Sequence, residues 1–383
     1  MVALLEFQAK EMLRRAGIPV PSGTLVRRAG DVTLDPGDGA WVCKAQVPVK
    51  NRAASGGIRF AADAQSAARE VSSLLSADIG GHRPMAVLVE QRLPIAQEWF
   101  VSVIVDPWGS GLVLEVSDAG GSGVEDRLSR DRRASLSFPP SAPPSATSVL
   151  RILGGSVSGT AVSAIARLCA DLCRIAVERD LLLLEVNPLA VTSDGAAVVV
   201  DAHVTVDDAA EFRQEWVDPL NTDLDLMHAG RAWRRRHGGD FKVIDERGQV
   251  AILNTGAGAA MLVMDELSRR GIRTYNFSDI RAGTPHLRRE RFAAAADLIC
   301  SGSDIGAVII NIHAGITDLR TLREDLEHMI SRFDAAGLPT VVRLQGPYSA
   351  ETNTALATMR GVVVEPRLEF AIDKACGLLG GSA

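Results

Sequence analysis

Residues 181–205 read LLLLEVNPLAVTSDGAAVVVDAHVT, a pattern typical of two β-strands joined by a tight turn. Polar side chains interrupt the apolar residues on both strands: Glu185 and Asn187 on the first, and Asp201 on the second. Because side chains alternate between the two faces of a strand, Glu185 and Asn187 share one face. An otherwise apolar hairpin therefore presents an acid and an amide side by side.

The spacing around the turn predicts how the two strands pair. If residues 193–195, Ser-Asp-Gly, form a three-residue turn, Asn187 lies opposite Asp201, with Cβ atoms about 5 Å apart. An amide oxygen that faces a carboxylate at this distance suits Mg²⁺, which takes few protein ligands and completes its shell with water and phosphate oxygens. Such a pair is also common as a polar contact at a sheet edge, so the hairpin alone leaves both interpretations open.

Three charged residues upstream of the hairpin point to a phosphate-binding site. Lys44 lies on a predicted strand that leads into a glycine- and base-rich loop at residues 48–57. A lysine at a strand end can neutralise a phosphate group, and such a loop can close over it. Glu90 ends the next apolar strand, where a carboxylate can hold an adenine or ribose hydroxyl, and Glu98 follows shortly after. Each of these signals is weak by itself.

The pattern changes from residue 250 onward, where strands and helices alternate. We predict strands at 250–254, 274–277, 307–312, 340–344 and 362–365, and helices near 257–270, 287–300, 318–336, 349–359 and 367–379. This alternation specifies a doubly wound, mostly parallel sheet. Ligands of such sheets bind at the carboxyl ends of the strands, so we expect one contiguous site from the glycine-containing loops that begin at Asn254, Ser278, His313 and Gln345.

The first of these loops leads directly into a helix. The free N–H groups and the positive dipole end of a helix that starts near Gly256 and Gly258 form an anion site without any side chain. A rival interpretation treats these glycines as a dinucleotide-binding fingerprint, with Asp279 as the acid that binds the ribose. The third glycine of that fingerprint is missing, because Met261 occupies its place, so we favour the anion site.

Composition limits the classes of function. A chain of 383 residues, 46% hydrophobic and 23% charged, suits an α/β protein of two or three domains. The net charge of −6 argues against nucleic acid as a partner, and no apolar run is long enough to cross a membrane. The five scattered cysteines and the charge-interrupted opening residues predict reduced thiols, no signal peptide and a cytoplasmic location.

Several stretches together resemble the β subunit of succinyl-CoA synthetase. They are LEFQAKEMLRRAGIPVP from Leu5, WVCKAQV from Trp41, the 181–205 hairpin, NTGAGAAMLVMDEL from Asn254, AVIINIHAGI from Ala307 and PTVVRLQG from Pro339. The similarity runs nearly from end to end. It implies an α/β chain with an ATP-grasp fold of two α+β subdomains at 1–225, a linker at 226–245, and a flavodoxin-like CoA-ligase domain at 246–383.

The resemblance also implies roles for particular residues. Mg²⁺ is expected at Asn187 and Asp201, and ATP (or GTP) at Lys44, Arg52, Glu90 and Glu98. Glu185 is expected to orient a histidine that a partner α-type subunit, the CoA-binding subunit, supplies and that becomes phosphorylated. Gly256 and Gly258 are expected to hold the phosphohistidine, and the small carboxylic acid is expected at Thr255, His313, Gly315, Thr317 and Arg320.

The chain departs from the family at its loops. The 48–57 loop keeps Arg52 but lacks the family's G-R-G-K element, and Lys50 is a candidate replacement for its lysine. In the acid-site loops, His313 and Asp318 replace an aromatic and a basic residue, and Thr255 stands where the family has an asparagine. The loop from Phe277 loses a run of three glycines and gains Arg281 and His286. We therefore expect a carboxylic acid other than succinate, with Arg281 or Arg320 available to bind a second carboxylate and Asp318 opposing one.

The expected function is the nucleotide-binding β subunit of an ATP-dependent carboxylic acid–CoA ligase, in which an acyl phosphate is attacked by the CoA thiol. Two alternatives remain open. An ATP-grasp carboxylate–amine ligase would join the acyl phosphate to an amine and would need no α subunit. A non-catalytic scaffold subunit is suggested by the altered 48–57 loop and would bind no Mg·ATP.

Overall fold

The computed structural model describes residues 2–33, 39–49, 52–109, 111–121, 133–154, 161–283, 286 and 288–379. The chain divides into two compact units, Met1–Thr222 and Asp223–Ala383. Lys50, the candidate replacement lysine of the 48–57 loop, lies outside the described residues. Within the described ranges, none of the helices is long and apolar enough to cross a membrane.

Within its described residues, the first unit contains two antiparallel sheets. Its strands are β1 (Val2–Ala3), β2 (Gly23–Val26), β3 (Trp41–Gln46), β4 (Ile58–Ala61), β5 (Ala86–Gln91), β6 (Ile95–Val105), β7 (Leu112–Ser117), β8 (Arg133–Phe138), β9 (Leu181–Thr192), β10 (Ala197–Val199) and β11 (Ala202–Val206). The larger sheet has the order β1–β11–β9–β6–β7–β8, with β10 also paired to β9, and the smaller sheet has the order β2–β5–β3–β4.

The helices of this unit follow from capping and apolar spacing. They are α1 (Glu6–Arg15), α2 (Ala64–Ser76), α3 (Ala146–Leu153) and α4 (Val162–Glu178). The Asp63 carboxylate caps α2 by accepting the Ser66 N–H at 2.6 Å. Helical spacing then places Ala67, Val71 and Leu74 on one stripe, which is buried in the core of the smaller sheet.

The hairpin has the register that the sequence predicts. The Thr192 N–H donates to the Ala196 carbonyl at 2.9 Å, which closes the three-residue turn around Gly195. The Asn187 N–H donates to the Asp201 carbonyl at 3.2 Å. Asn187 on β9 therefore lies opposite Asp201, which connects β10 to β11. A shift of one residue would have turned both side chains to the other face.

The second unit is built on the predicted parallel sheet. Its strands are β12 (Asp240–Val243), β13 (Val250–Asn254), β14 (Asn276–Asp279), β15 (Ala307–His313), β16 (Thr340–Gln345) and β17 (Val362–Val364). Its helices are α6 (Ala229–His237), α7 (Ala257–Arg269), α8 (Arg288–Cys300), α9 (Arg323–Ala335), α10 (Ser349–Leu356) and α11 (Leu368–Leu379), and the boundary between the two units falls inside α5 (Asn221–Met227). Strands β13, β15, β16 and β17 pair in parallel, with α7 and α11 packed on one face and α8 and α9 on the other.

The segment 226–245, which we expected to be a linker, is part of the second unit. Strand β12 pairs antiparallel with β14, and Trp233 of α6 packs against Phe241 with ring centroids 5.8 Å apart. The arginine-rich helix α6 is anchored through Arg231, which is buried and donates to Asp225 at 2.5 Å. Ala232 and Trp233, which lie between the arginines of α6, are buried and provide the packing.

Strand β14 is attached to β13 mainly by side chains. Backbone bonds join the residues on either side of β14 to β13, from the Tyr275 N–H to the Val250 carbonyl at 2.8 Å and from the Ile280 N–H to the Asn254 carbonyl at 2.8 Å. Between these bonds, the Asn276 amide accepts the Ile252 N–H at 3.0 Å and donates to the Ile252 carbonyl at 2.8 Å. The Ser278 hydroxyl donates to the same carbonyl at 2.8 Å and accepts the Asn254 N–H at 3.1 Å. These buried side chains replace backbone pairing at this edge of the sheet.

We predict that Ser278→Ala destabilises the second unit by about 1–3 kcal/mol, because the buried Asn254 N–H loses its acceptor. Chemical denaturation followed by fluorescence and circular dichroism measures the free energy of unfolding. Ser303→Ala is the matched control, because the Ser303 side chain is exposed and bonds to its neighbour Asp304. Equal stability of the two variants would contradict the prediction.

Candidate functional site

The polar face of the hairpin lies opposite its core face. Along β9, the half-buried Glu185 and Asn187 alternate with the buried Leu184 and Val186. Asp201, on the opposite strand, keeps about a third of its side chain exposed (34%). Glu185 pairs in register with His203, one step along the same face. The structure therefore brings Glu185, Asn187 and Asp201 to one surface of the larger sheet.

Lys44 enters this region from the smaller sheet and is enclosed there. Its Nζ donates to Glu6 Oε1 at 2.7 Å, to the Val200 carbonyl at 2.7 Å, and pairs with Glu90 Oε2 at 2.8 Å. Burial opposes the charge, but the carboxylates of Glu6, Glu90 and Asp201 outweigh it and raise the pKa of Lys44 above its ordinary value. An ammonium group has three N–H donors, so these contacts commit all of them.

Glu90 belongs to the same enclosed cluster. Both of its carboxylate oxygens accept from Lys10 Nζ at 2.7 Å, and its side chain is 3% exposed. We expected Glu90 to face a nucleotide hydroxyl, but here it is saturated by two ammonium groups, those of Lys10 and Lys44. Its direct role is electrostatic, because it keeps these two buried lysines charged.

Arg52 joins the buried cluster to the hairpin. One guanidinium nitrogen, Nη2, donates both to Glu6 Oε2 at 2.5 Å and to Asp201 Oδ2 at 3.2 Å, and Nη1 donates to the Ala45 carbonyl at 3.0 Å. Burial and the neighbouring Glu6 carboxylate raise the pKa of Asp201, against the cations of the cluster. Arg52 is thus the predicted nucleotide contact that touches the predicted metal ligand directly.

Glu98 and Asn187 both contact the backbone of the Gly120–Gly121 pair. The Gly121 N–H donates to Asn187 Oδ1 at 2.7 Å, and the Gly120 N–H donates to the Glu98 carbonyl at 3.0 Å. A Cβ on Gly121 would lie 2.3 Å from a Glu98 carboxylate oxygen, and its φ of +89° also requires glycine. Glycine at this position lets the Glu98 carboxylate lie against the backbone that holds Asn187.

The donor set fits Mg²⁺. Both Asn187 and Asp201 offer oxygen atoms, and an amide oxygen that accepts one N–H keeps a second lone pair. Mg²⁺ prefers oxygen ligands and retains waters and substrate phosphates, so two protein ligands are enough. In the part of the chain that the structure describes, no group of three or more His, Cys, Asp or Glu side chains is arranged to hold a metal ion.

The second unit has a cavity of about 260 Å³ at the carboxyl ends of its strands. Three of the four predicted loops line it, with Thr255, Gly256, Asp279, Arg281, Ala282, Gly283, Ile312, His313, Ala314, Gly315, Ile316, Thr317 and Leu322. The fourth loop supports the third from behind, since the Ala314 N–H donates to the Gln345 carbonyl at 2.8 Å. The predicted contiguous site is therefore made by neighbouring parallel strands.

The start of α7 has its own carboxylate. The Gly256 N–H donates to Asp279 Oδ1 at 2.8 Å, and Gly256 has a φ of +89°. Asp279, which the rival dinucleotide interpretation would place on a ribose, instead caps this helix, a favourable position for a negative charge. Thr255 connects the start of α7 to the end of β15, because its hydroxyl donates to the His313 carbonyl at 3.3 Å and accepts the His313 N–H at 3.1 Å.

Two predicted residues of this site do not line the cavity. Arg320 is held by a bidentate pair with Asp318 and lies 3.6 Å from the centroid of the Tyr348 ring. Gly258, the second residue of α7, is also absent from the lining. The exposed Arg281 does line the cavity and is the arginine that a bound anion would meet there.

The sequence did not identify three participants of the first site: Glu6, Lys10 and Gly121. Glu6 and Lys10 are four residues apart on α1 and share a face with the buried Leu13. Charged residues on the apolar stripe of a helix are a signal of buried ion pairs, and it was present in the sequence. The Gly120–Gly121 pair was visible too, but its partner Asn187 is far away along the chain.

Known proteins similar to this chain agree on one family. Residues 3–191 match the ATP-grasp domain family. The β subunit of the ADP-forming succinate–CoA ligase from Thioalkalivibrio sulfidiphilus is 32% identical over 358 residues, which is 90% of each chain. A second such subunit, subunit beta 2 from Streptomyces coelicolor, is 30% identical over 366 residues, 94% of this chain and 93% of that one.

A solved structure shows the same fold over the whole chain. The ATP citrate lyase from Methanothrix soehngenii, solved with citrate and coenzyme A, superposes with a TM-score of 0.73, covering 98% of this chain and 99% of that one at 16% identity. The predicted fold class, an ATP-grasp domain followed by a doubly wound parallel-sheet domain, is confirmed. On its sequence identity to the curated subunits, the chain belongs to the family of succinate–CoA ligase β subunits, which are acid–CoA ligases.

Proposed function

We propose that the chain is the nucleotide-binding β subunit of an ATP-dependent carboxylic acid–CoA ligase that works with an α-type subunit. The observation that carries the proposal is the meeting of Arg52 with Asp201, directly opposite Asn187 and beside Lys44. Phosphoryl transfer requires little covalent chemistry from the protein and depends on positioning and charge neutralisation. A cation that touches a metal ligand supports both requirements.

In the proposed reaction, the bond between the β- and γ-phosphates of ATP (or GTP) breaks and the γ-phosphoryl group is carried on a histidine of the α-type partner. It then joins the carboxylate to give an acyl phosphate, which the CoA thiol attacks to form the thioester and release phosphate. The proposed role of Glu185, on the polar face of β9, is to orient the partner's histidine. Mg²⁺ bound by Asn187 and Asp201 would neutralise charge on the phosphate oxygens.

The cavity of the second unit suits the carboxylic acid and the phosphorylated histidine. The first N–H groups of α7 have no partner within the helix, and Gly256 at its start lines the cavity. Arg281 adds a guanidinium, while Ile312, Ile316 and Leu322 add apolar surface. Because Arg281, His313 and Thr255 depart from the family's residues, we propose an acid other than succinate.

We place this reaction in the cytoplasm, where ATP and CoA are available. The five cysteines are all free thiols, which supports a reducing compartment.

One observation favours a second candidate, a non-catalytic scaffold subunit. All three N–H donors of Lys44 are committed within the protein, so a phosphate can be contacted by Lys44 only if one of these contacts opens. A scaffold subunit would leave them closed and would bind no Mg·ATP.

The decisive experiment uses the purified chain in complex with its α-type partner, Mg²⁺ and γ-labelled ATP. Acid-labile label on a partner histidine, followed by its loss when CoA and a carboxylic acid are added, is the expected result. A stable complex without label and without Mg·ATP binding would favour the scaffold subunit. An amide product formed from ATP, the acid and an amine, without the partner and without labelled histidine, would favour the carboxylate–amine ligase.

We predict that Asp201→Asn lowers the rate of labelling by about two orders of magnitude. Asp201 is both a proposed Mg²⁺ ligand and the partner of Arg52, and the substitution removes its negative charge from both contacts. Single-turnover labelling measures this rate. The control is Asp194→Asn, in the exposed turn of the same hairpin, where the carboxylate bonds to Thr192 and should leave the rate unchanged. An unchanged rate in Asp201→Asn would refute the assignment of this residue as a metal ligand.

We predict that Gly256→Ala slows removal of the label by acid and CoA by about tenfold, because a positive φ costs roughly 1–3 kcal/mol for alanine and shifts the start of α7. The initial labelling rate, which depends on the first unit, should stay unchanged. Gly377→Ala on α11 has an ordinary φ and open space at its Cβ, so it serves as the control. Slowing in both variants would argue against a role for the α7 start.

A further inference from the structure

The first turn of α1 contains a carboxylate that no role in the proposed reaction explains. Glu6 lies on the same helical face as Lys10, one turn later, and its side chain is 3% exposed. An unpaired carboxylate at such a position is strongly disfavoured, because burial removes its hydration. Glu6 therefore exists as an anion only because of the groups around it.

Three cations converge on this carboxylate. Glu6 Oε1 accepts from Lys44 Nζ at 2.7 Å and lies 2.7 Å from Lys10 Nζ. Glu6 Oε2 accepts from Arg52 Nη2 at 2.5 Å. Burial alone would raise the pKa of Glu6, but these cations hold it well below its ordinary value. Each oxygen thus fixes a different part of the chain: Oε1 fixes strand β3, and Oε2 fixes the loop that follows it.

The charges of the cluster balance one another. Its described members are three carboxylates and three cations, namely Glu6, Glu90, Asp201, Lys10, Lys44 and Arg52. Glu90 contacts the lysines, and Asp201 contacts Arg52. Glu6 is the member that contacts all three cations. It is therefore the group that holds Lys44 and Arg52 in a fixed position relative to each other.

We propose that Glu6 is a positioning residue of the nucleotide site, which holds Lys44 and Arg52, and through Arg52 the Asp201 carboxylate, in the arrangement that receives the nucleotide phosphates. This inference rests on the proposed function, because it assumes that the phosphates bind beside Asp201. Glu6 itself does not contact the nucleotide, since it is enclosed by the cations that it positions.

The test is Glu6→Gln in the complete complex with the α-type partner. The amide keeps the shape but loses the charge, so its contacts to Lys44 and Arg52 become weaker. We expect the KM for Mg·ATP, and its Kd by calorimetry, to rise about tenfold to a hundredfold, the range that follows from loss of a charge-assisted hydrogen bond. The KM for CoA should not change, because CoA binds elsewhere.

The matched control is Glu11→Gln on the same helix. Glu11 is 41% exposed and pairs with Arg14 and Arg15 on the outer face of α1, so the Kd for Mg·ATP should stay at the wild-type value. Glu6→Asp retains the charge with a shorter reach and should recover part of the lost affinity. It also keeps the proposal testable where the glutamine variant does not fold.

A purely structural role for Glu6 predicts a different result. Lys10→Met removes a cation that pairs with Glu6 and Glu90 but not with Asp201, and it should lower stability while raising the Kd for Mg·ATP less than Glu6→Gln does. Equal losses of stability and equal Kd values in these two variants would overturn the positioning role. So would an unchanged Kd in a folded Glu6→Gln complex.

These measurements separate a failure of the proposed function from a failure of the positioning role. If the wild-type complex binds Mg·ATP but transfers no label, the ligase reaction is wrong, while the calorimetric comparison of Glu6→Gln with the wild type still decides the positioning role. Wild-type protein that binds no Mg·ATP would overturn both proposals.

Discussion

The carboxylate of Glu6 binds three cations away from solvent, and the arrangement of the first unit depends on this contact. Buried charges are costly unless each has a partner, and the loss of one partner leaves the others uncompensated, at a cost of several kcal/mol. Helix α1, strand β3, the following loop and the hairpin each contribute members to this cluster. Their relative positions are therefore set by charge pairing as well as by apolar packing. The same cluster brings Lys44 and Arg52 to the polar face of the hairpin.

The order of apolar, polar and glycine residues over short stretches was enough to predict the hairpin and the alternating strands and helices of the second unit. The three-residue turn at 193–195 set the hairpin register, and the alternation after residue 250 set the parallel sheet, with strand and helix ends close to those observed. The face shared by Asn187 and Asp201 follows from the same register. These features depend on side-chain alternation and turn geometry, which act over a few residues.

Contacts between distant segments could not be predicted in this way. Glu6 and Lys44 are 38 residues apart, and Asn187 and Gly121 are 66 apart. Lys44 and Glu90 were expected to contact the nucleotide, and the sequence did not show that their side chains also pair with Glu6 and Lys10 in a buried cluster. Arg320 shows the competing local effect, because Asp318, two residues away, holds its guanidinium beside Tyr348 and away from the cavity. The segment 226–245 belongs to the second unit because β12 pairs with β14 and Trp233 of α6 packs against Phe241.

The attachment of β14 has a consequence for how this fold tolerates change. Elsewhere in the parallel sheet, neighbouring strands are held by backbone groups, which every amino acid except proline provides. Between β13 and β14, the amide of Asn276 and the hydroxyl of Ser278 take over that task. The attachment of this edge strand thus depends on the side chains of Asn276 and Ser278, each of which a single nucleotide change can replace. A substitution at Asn276 or Ser278 therefore also affects the other end of this strand, where Asp279 accepts the N–H at the start of α7.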